Sequence, residues 1–207
     1  TLQLCEPSLA AREAAVAAIV ARSGAAFVHP YDDVRVIAGQ GTVALELLED
    51  LPQLDCVLCP VGGGGLASGI ALVVKALAPA TRVIAVEPAA ADDAYRAFHA
   101  PSAPTLPPAP SSMPATLADG LRGMLSARTL GLLRAHVDDV VTVSEAGIVR
   151  AMRTLWSELH VIVEPSSAVP YAALQEGRLN VAGQRVAIVL TGGNVDLEQL
   201  PWSVPPA

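Results

Sequence analysis

The stretch that decides the fold is CPVGGGGLASG, residues 59–69, with four consecutive glycines at Gly62, Gly63, Gly64 and Gly65. LDCVLCPV (54–61) precedes them, a nearly continuous apolar run of the kind that forms a strand buried on both faces. LASGIALVVKAL (66–77) follows, small and apolar, and reads as a helix. Ordering glycine costs more backbone entropy than ordering any other residue. A tight turn needs one or two glycines. Four between a strand and a helix suggest several backbone amides converging on an anion, with the helix N-terminus adding partial positive charge.

A phosphate is the natural guest. A Walker-type loop would need Gly-Lys-Ser/Thr, and this loop continues Gly65-Leu66-Ala67 with no lysine. A dinucleotide fingerprint fits loosely: Gly62-x-Gly64-x-x-Ala67, with Glu87 ending the next strand-like run. That leaves an NAD-binding reading open. It explains neither Gly63 and Gly65 nor the second glycine turn, Thr191-Gly192-Gly193-Asn194.

The same alternation continues outward from the loop. TRVIAVEP (81–88), DDVVTV (138–143) and RVAIVL (185–190) read as further strands, and AAFVHP (25–30) as a short one. Helices are expected over 8–22, 33–50, 91–100, about 126–136, from the Ser144 cap to about His160, and within 164–177. PSAPTLPPAPSSMPATL (101–117) is too rich in proline and serine to be anything but loop. Strands alternating with helices give an α/β fold with a mostly parallel sheet and flanking helices. Both glycine clusters follow strands, at the carboxyl ends where such sheets bind ligands.

Composition narrows the function classes. The 207 residues are 52% hydrophobic and carry a net charge of −7, so a large core is expected and a basic nucleic-acid surface is not. Residues 56–74 hold no charge, yet Pro60 and the four glycines disfavour a spanning helix. Cys56 and Cys59 form a C-x-x-C without a second pair. In a strand these positions point to opposite faces, so a metal or redox pair is not expected. The three cysteines suit a reducing cytoplasm.

Six blocks in order carry a resemblance: AGQGTVALELL (38–48), PVGGGGLASGIA (60–71), VIAVEPAAADDAY (83–95), LADGLRG (117–123), EPSSAV (164–169) and IVLTGGNVDL (188–197). Together they resemble the serine/threonine dehydratase and serine racemase family, fold-type II enzymes that use pyridoxal 5′-phosphate. The resemblance implies a cofactor site in which Gly62, Gly63, Gly64, Gly65 and Leu66 bind phosphate through their amides. Thr191 would stand beside the pyridine nitrogen, and Gly120 and Glu164 would line the pocket. Read from the residues alone, Glu164 could equally cap the helix beginning near Ser166. The resemblance also implies a divalent cation (magnesium, calcium or manganese) at Glu87, Ala91 and Asp93. Without it, Glu-x5-Asp reads as an acidic helix start.

The family's central lysine, joined to the cofactor as a Schiff base, has no counterpart. The single lysine, Lys75, lies roughly 15 Å along a helix from the loop at about 1.5 Å per residue. No catalytic residue is therefore assigned within the chain. By the resemblance, residues 1–32 are the end of a small domain and 33–207 the large cofactor-binding domain, with the N-terminal third lying in another segment or chain. A hydroxy amino acid substrate and a homodimer are implied, and the isolated chain is expected to be inactive. Glu158 and His160 stand where animal racemases carry basic residues near a nucleotide interface, so nucleotide regulation is not expected. Retention of the cradle as a non-catalytic cofactor- or phosphate-binding protein is the other alternative.

Overall fold

Four parallel strands form the sheet of this computed structural model, which describes residues 2–100, 106 and 112–202. They are β1 (Cys56–Pro60), β2 (Arg82–Pro88), β3 (Asp139–Val143) and β4 (Val186–Ile188), in spatial order β3-β2-β1-β4. The chain starts at β1, moves outward through β2 and β3, then returns to lay β4 on β1's other side. Cys56 aligns with Arg82 on one side and Val186 on the other. The direction of travel therefore reverses beside β1, and ligands of open α/β sheets bind at such reversals.

Alternation along β1 divides the core. Val57 and Cys59 face a cluster built with α2 (Val34–Asp50), α3 (Gly65–Leu77), α4 (Asp93–His99) and α5 (Ala127–His136). Cys56 and Leu58 face the opposite cluster, built with α6 (Glu145–Leu159) and α7 (Pro165–Gln175). The two cysteines thus lie in different layers, both buried and unbridged, as strand periodicity requires. A first helix, α1 (Leu9–Ser23), precedes these elements.

Helix starts follow local chemistry. Ser8 accepts from Ala11 N–H, Asp33 from Arg35 N–H, and Ser144 from Gly147 N–H; Ser126 forms a reciprocal capping box with Thr129. Two expectations need correction. Residues 25–30 form no strand: Phe27 and Val28 are exposed, no neighbour pairs with them, and the His29 ring instead accepts from Asp32 N–H at 2.9 Å. The last strand is shorter than RVAIVL, ending at Ile188, although Val189 N–H still donates to Leu58 O at 2.9 Å. Among the described residues, no helix is long and apolar enough to cross a membrane.

Candidate functional site

The tetraglycine loop joins the end of β1 to the start of α3. Every one of its missing side chains has its place taken. A Cβ on Gly62 would lie 3.0 Å from Leu121 Cα; on Gly64, 2.8 Å from Leu125 Cδ2 and Thr129 Cβ; on Gly65, 2.8 Å from Tyr31 Cβ. At Gly63 it would strike the Tyr31 ring. Gly64 also has φ +86°, a left-handed conformation that favours glycine. Meanwhile the amides of Gly62, Gly63, Gly64, Gly65 and Leu66 find no acceptor among the described residues. Protein packs against the loop's carbon side, and five successive N–H groups at a helix N-terminus are left for an anion.

Three other segments gather around the loop. Residues 121–123 lie against it, with Leu121 on Gly62 and Gly123 beside Gly63. Gly120, one residue earlier, donates its N–H to Ser166 Oγ at 3.1 Å. Thr191 N–H donates to Ser167 Oγ at 2.8 Å. Two adjacent serines in the first turn of α7 thus hold the 120 loop and the turn after β4. Glu164 precedes that helix without a side-chain cap; its carboxylate accepts Asn194 N–H at 2.8 Å, and its backbone N–H donates to Gly192 O at 3.0 Å. A Cβ on Gly192 would lie 2.7 Å from Glu164 Oε2. The capping reading of Glu164 is not met, because its side chain binds the 191–194 turn instead.

Glu87, Ala91 and Asp93 occupy the carboxyl end of β2, a 3-10 turn at Ala89–Ala91 and the start of α4. All three are buried. Glu87 accepts from Tyr95 N–H at 2.5 Å and Ala94 N–H at 3.3 Å; Asp93 accepts from Leu125 N–H at 3.0 Å. Burial pushes the Glu87 carboxyl up to about 9 and raises that of Asp93, with each carboxylate's neighbours adding repulsion. Glu87 and Asp93 are buried carboxyls whose hydrogen-bond partners are backbone N–H groups, and oxygen donors of this kind are what a hard cation takes. Among the described residues no cluster of three or more His, Cys, Asp or Glu side chains is arranged for a metal, so such a site would depend on the carbonyl. The same burial removes Glu87 from any ribose, so the dinucleotide pattern in the sequence has no acidic partner to complete it.

Lys75 is half-buried rather than a free surface group. Its ammonium donates to Thr81 O at 2.9 Å and pairs with Asp138 at 2.8 Å, near the end of α3 remote from the glycines. Sequence reasoning missed Tyr31, Gly123, Ser166 and Ser167. The two serines were readable as a helix start after Pro165, but not as anchors for distant loops.

The comparisons agree with this arrangement. The family model "Pyridoxal-phosphate dependent enzyme" matches residues 1–192. The chain is 49% identical over 199 residues to beta-hydroxyaspartate dehydratase of Paracoccus denitrificans, covering 96% of this chain and 62% of that protein. It is 42% identical over 200 residues to serine racemase of Arabidopsis thaliana, covering 94% and 59%. Among solved structures, maize serine racemase superposes with a TM-score of 0.88 at 38% identity, over 98% of this chain and 62% of that one. The chain therefore spans about 60% of the length of the curated relatives it matches. With its matched residues, sheet and flanking helices all in agreement, the chain belongs to the pyridoxal-phosphate dependent enzymes.

Proposed function

We propose that these 207 residues supply the phosphate-binding portion of an enzyme that dehydrates or racemises a small hydroxy amino acid such as serine, threonine or hydroxyaspartate. The observation that carries the reading is the run of five unpartnered amides, Gly62 to Leu66, on a loop whose carbon side is fully packed. Those amides hold the phosphate, and the α3 N-terminus stabilises its charge. When the cofactor is bound, the Thr191 hydroxyl would partner the ring nitrogen. Being neutral, it holds a pyridinium less firmly than a carboxylate would. Gly120, where an added Cβ would lie 3.0 Å from Ser166 Oγ, would line the pocket, and Glu164 fixes the turn that carries Thr191. When bound, the cofactor supplies an electron sink for the substrate's α-carbon.

The covalently attached lysine is supplied from outside these residues, because Lys75 is engaged with Asp138. Alone, the chain binds the cofactor without forming a bond to it and releases no keto acid. Glu87, Asp93 and the Ala91 carbonyl hold a magnesium, calcium or manganese ion beside the site. The working assembly is a homodimer in the cytoplasm, a setting that suits the unbridged Cys56 and Cys59.

Titration of the purified chain with pyridoxal 5′-phosphate, followed by absorbance and dialysis, tests this. The expected result is saturable, reversible binding, no adduct retained after borohydride, and no keto acid from serine, threonine or hydroxyaspartate. A reducible adduct on Lys75 would overturn the assignment of the lysine, and absence of binding would overturn the cofactor reading.

A further inference from the structure

One peptide group ties α6 to the turn after β4. The indole N–H of Trp156, on α6, donates to Val163 O at 2.9 Å. Val163 is buried, and a tryptophan N–H taken out of water needs such a partner. The N–H of that same peptide unit belongs to Glu164 and donates to Gly192 O at 3.0 Å. Two hydrogen bonds in succession therefore link the indole to the residue next to Thr191, and bonds chained in this way polarise one another. The two segments also meet at Gly193, where an added Cβ would lie 2.8 Å from Ile162 O. Between Trp156 and Val163 the chain turns at His160, with φ +55°, the one described non-glycine residue in the left-handed region. Such a conformation persists where neighbours fix it. Past the turn the chain comes back to α6. Trp202 meets Trp156 edge-on with 5.3 Å between centroids, and both pack on the core layer of α6 and α7.

We propose that Trp156 is a positioning residue for the 191–194 turn and that Trp202 is the clasp that holds its indole. Trp156 acts through the Val163–Glu164 peptide on the turn that carries Thr191. The proposal rests on the cofactor reading above, in which that turn serves the ring. It extends the binding apparatus along the chain from Thr191 to Trp202.

Three variants of the 207-residue chain test this by amide hydrogen exchange without ligand and by titration with pyridoxal 5′-phosphate. Trp156→Phe keeps a ring and removes the donor. Exchange at Glu164, Thr191 and Asn194 should quicken on the order of tenfold beyond any change at the β1 amides, the worth of about one hydrogen bond. Affinity for pyridoxal 5′-phosphate should fall by a similar factor. Trp202→Ala leaves every one of these hydrogen bonds its partners, so it keeps the test open should Trp156→Phe fail to fold. It should quicken the same three amides and weaken binding, and Trp202→Phe, which restores a ring, should do neither. A change at the turn no greater than at β1 marks residues that serve the fold alone and overturns the proposal. Unchanged affinity in both Trp156→Phe and Trp202→Ala overturns it too, and either result leaves the cofactor reading intact. Failure of the unsubstituted chain to bind overturns both.

Discussion

Glu176 lies just past α7, its side chain only 9% exposed, yet it is ionised more readily than an ordinary glutamate. Burial opposes its charge. Hydrogen bonds from the Ser144 hydroxyl and amide and from Arg178 outweigh that cost, and its carboxyl falls below the usual range. The carboxylate thereby braces the start of α6, where a Cβ on Gly147 would collide with it. The sign of the pH effect follows. A depressed pKa contributes stability that is present above the unfolded value and lost as pH falls through the folded one. Glu176→Gln should lower stability at pH 7 by about 1–3 kcal/mol, as for an unmade bond to a charged group. The difference from the unsubstituted chain should shrink as pH drops below about 4.5, where a glutamate in the unfolded chain protonates. Urea unfolding at pH 7 and pH 4 reads both. Nothing in the sequence marked Glu176, because Ser144 is 32 residues away in the chain and meets it only after α6 and α7 pack. Gly62–Gly65 were legible for the opposite reason: their signal is local, four glycines in succession between a strand and a helix.

At the scale of elements, α2 and α3 meet where two glycines cross. A Cβ on Gly69 would lie 2.4 Å from Ile37 O and 2.7 Å from Gly41 N, and one on Gly41 would lie 2.9 Å from Val73 Cγ2. Both clashes at Gly69 are with backbone, which cannot rotate away, so relief requires the helices to part. Gly69→Ala should therefore destabilise by about 3 kcal/mol or more, at the upper end of overpacking, despite alanine's better helix propensity. Gly131→Ala on α5, in open space, should not. Denaturation midpoints of the two variants check this. Glycine is a poor helix former, and Gly39 and Gly41 both fall in the first half of α2. The helix in fact runs unbroken from Val34 to Asp50, and Gly41 is there for close approach. Caps and apolar runs gave the other helices and the buried strands, since each is written within a few residues. The segment 25–30 misled because strand-like residues become a strand only with a neighbour to pair with, and sequence does not say who that neighbour is.

Across the whole molecule, the sheet order places the turns after β1 and β4 on either side of the reversal point, with the buried pair Glu87 and Asp93 close by on β2 and α4. That pair motivates a global test. A cation that binds only the folded chain stabilises it by mass action, about 2.7 kcal/mol at a hundredfold excess over its dissociation constant. Magnesium or manganese should raise the melting temperature, a chelator should reverse the gain, and Asp93→Asn should abolish the response. A melting temperature indifferent to divalent ions would remove the cation from the site. The fold class and the glycine loop between β1 and α3 were readable from alternating strands, helices and glycines. Tyr31, Gly123 and the serine anchors were not, because they are defined by which loops the sheet order brings together.

The two serines that open α7 tie together segments that lie far apart in the chain. Ser166 holds a loop made long before it, and Ser167 holds a turn made after it. β4 must then return across the chain to pair with β1, Val186 opposite Cys56. Long-range pairings of this kind are slow to form. The 120 loop and the 191–194 turn are therefore held together only once α7 has docked and β4 has paired with β1.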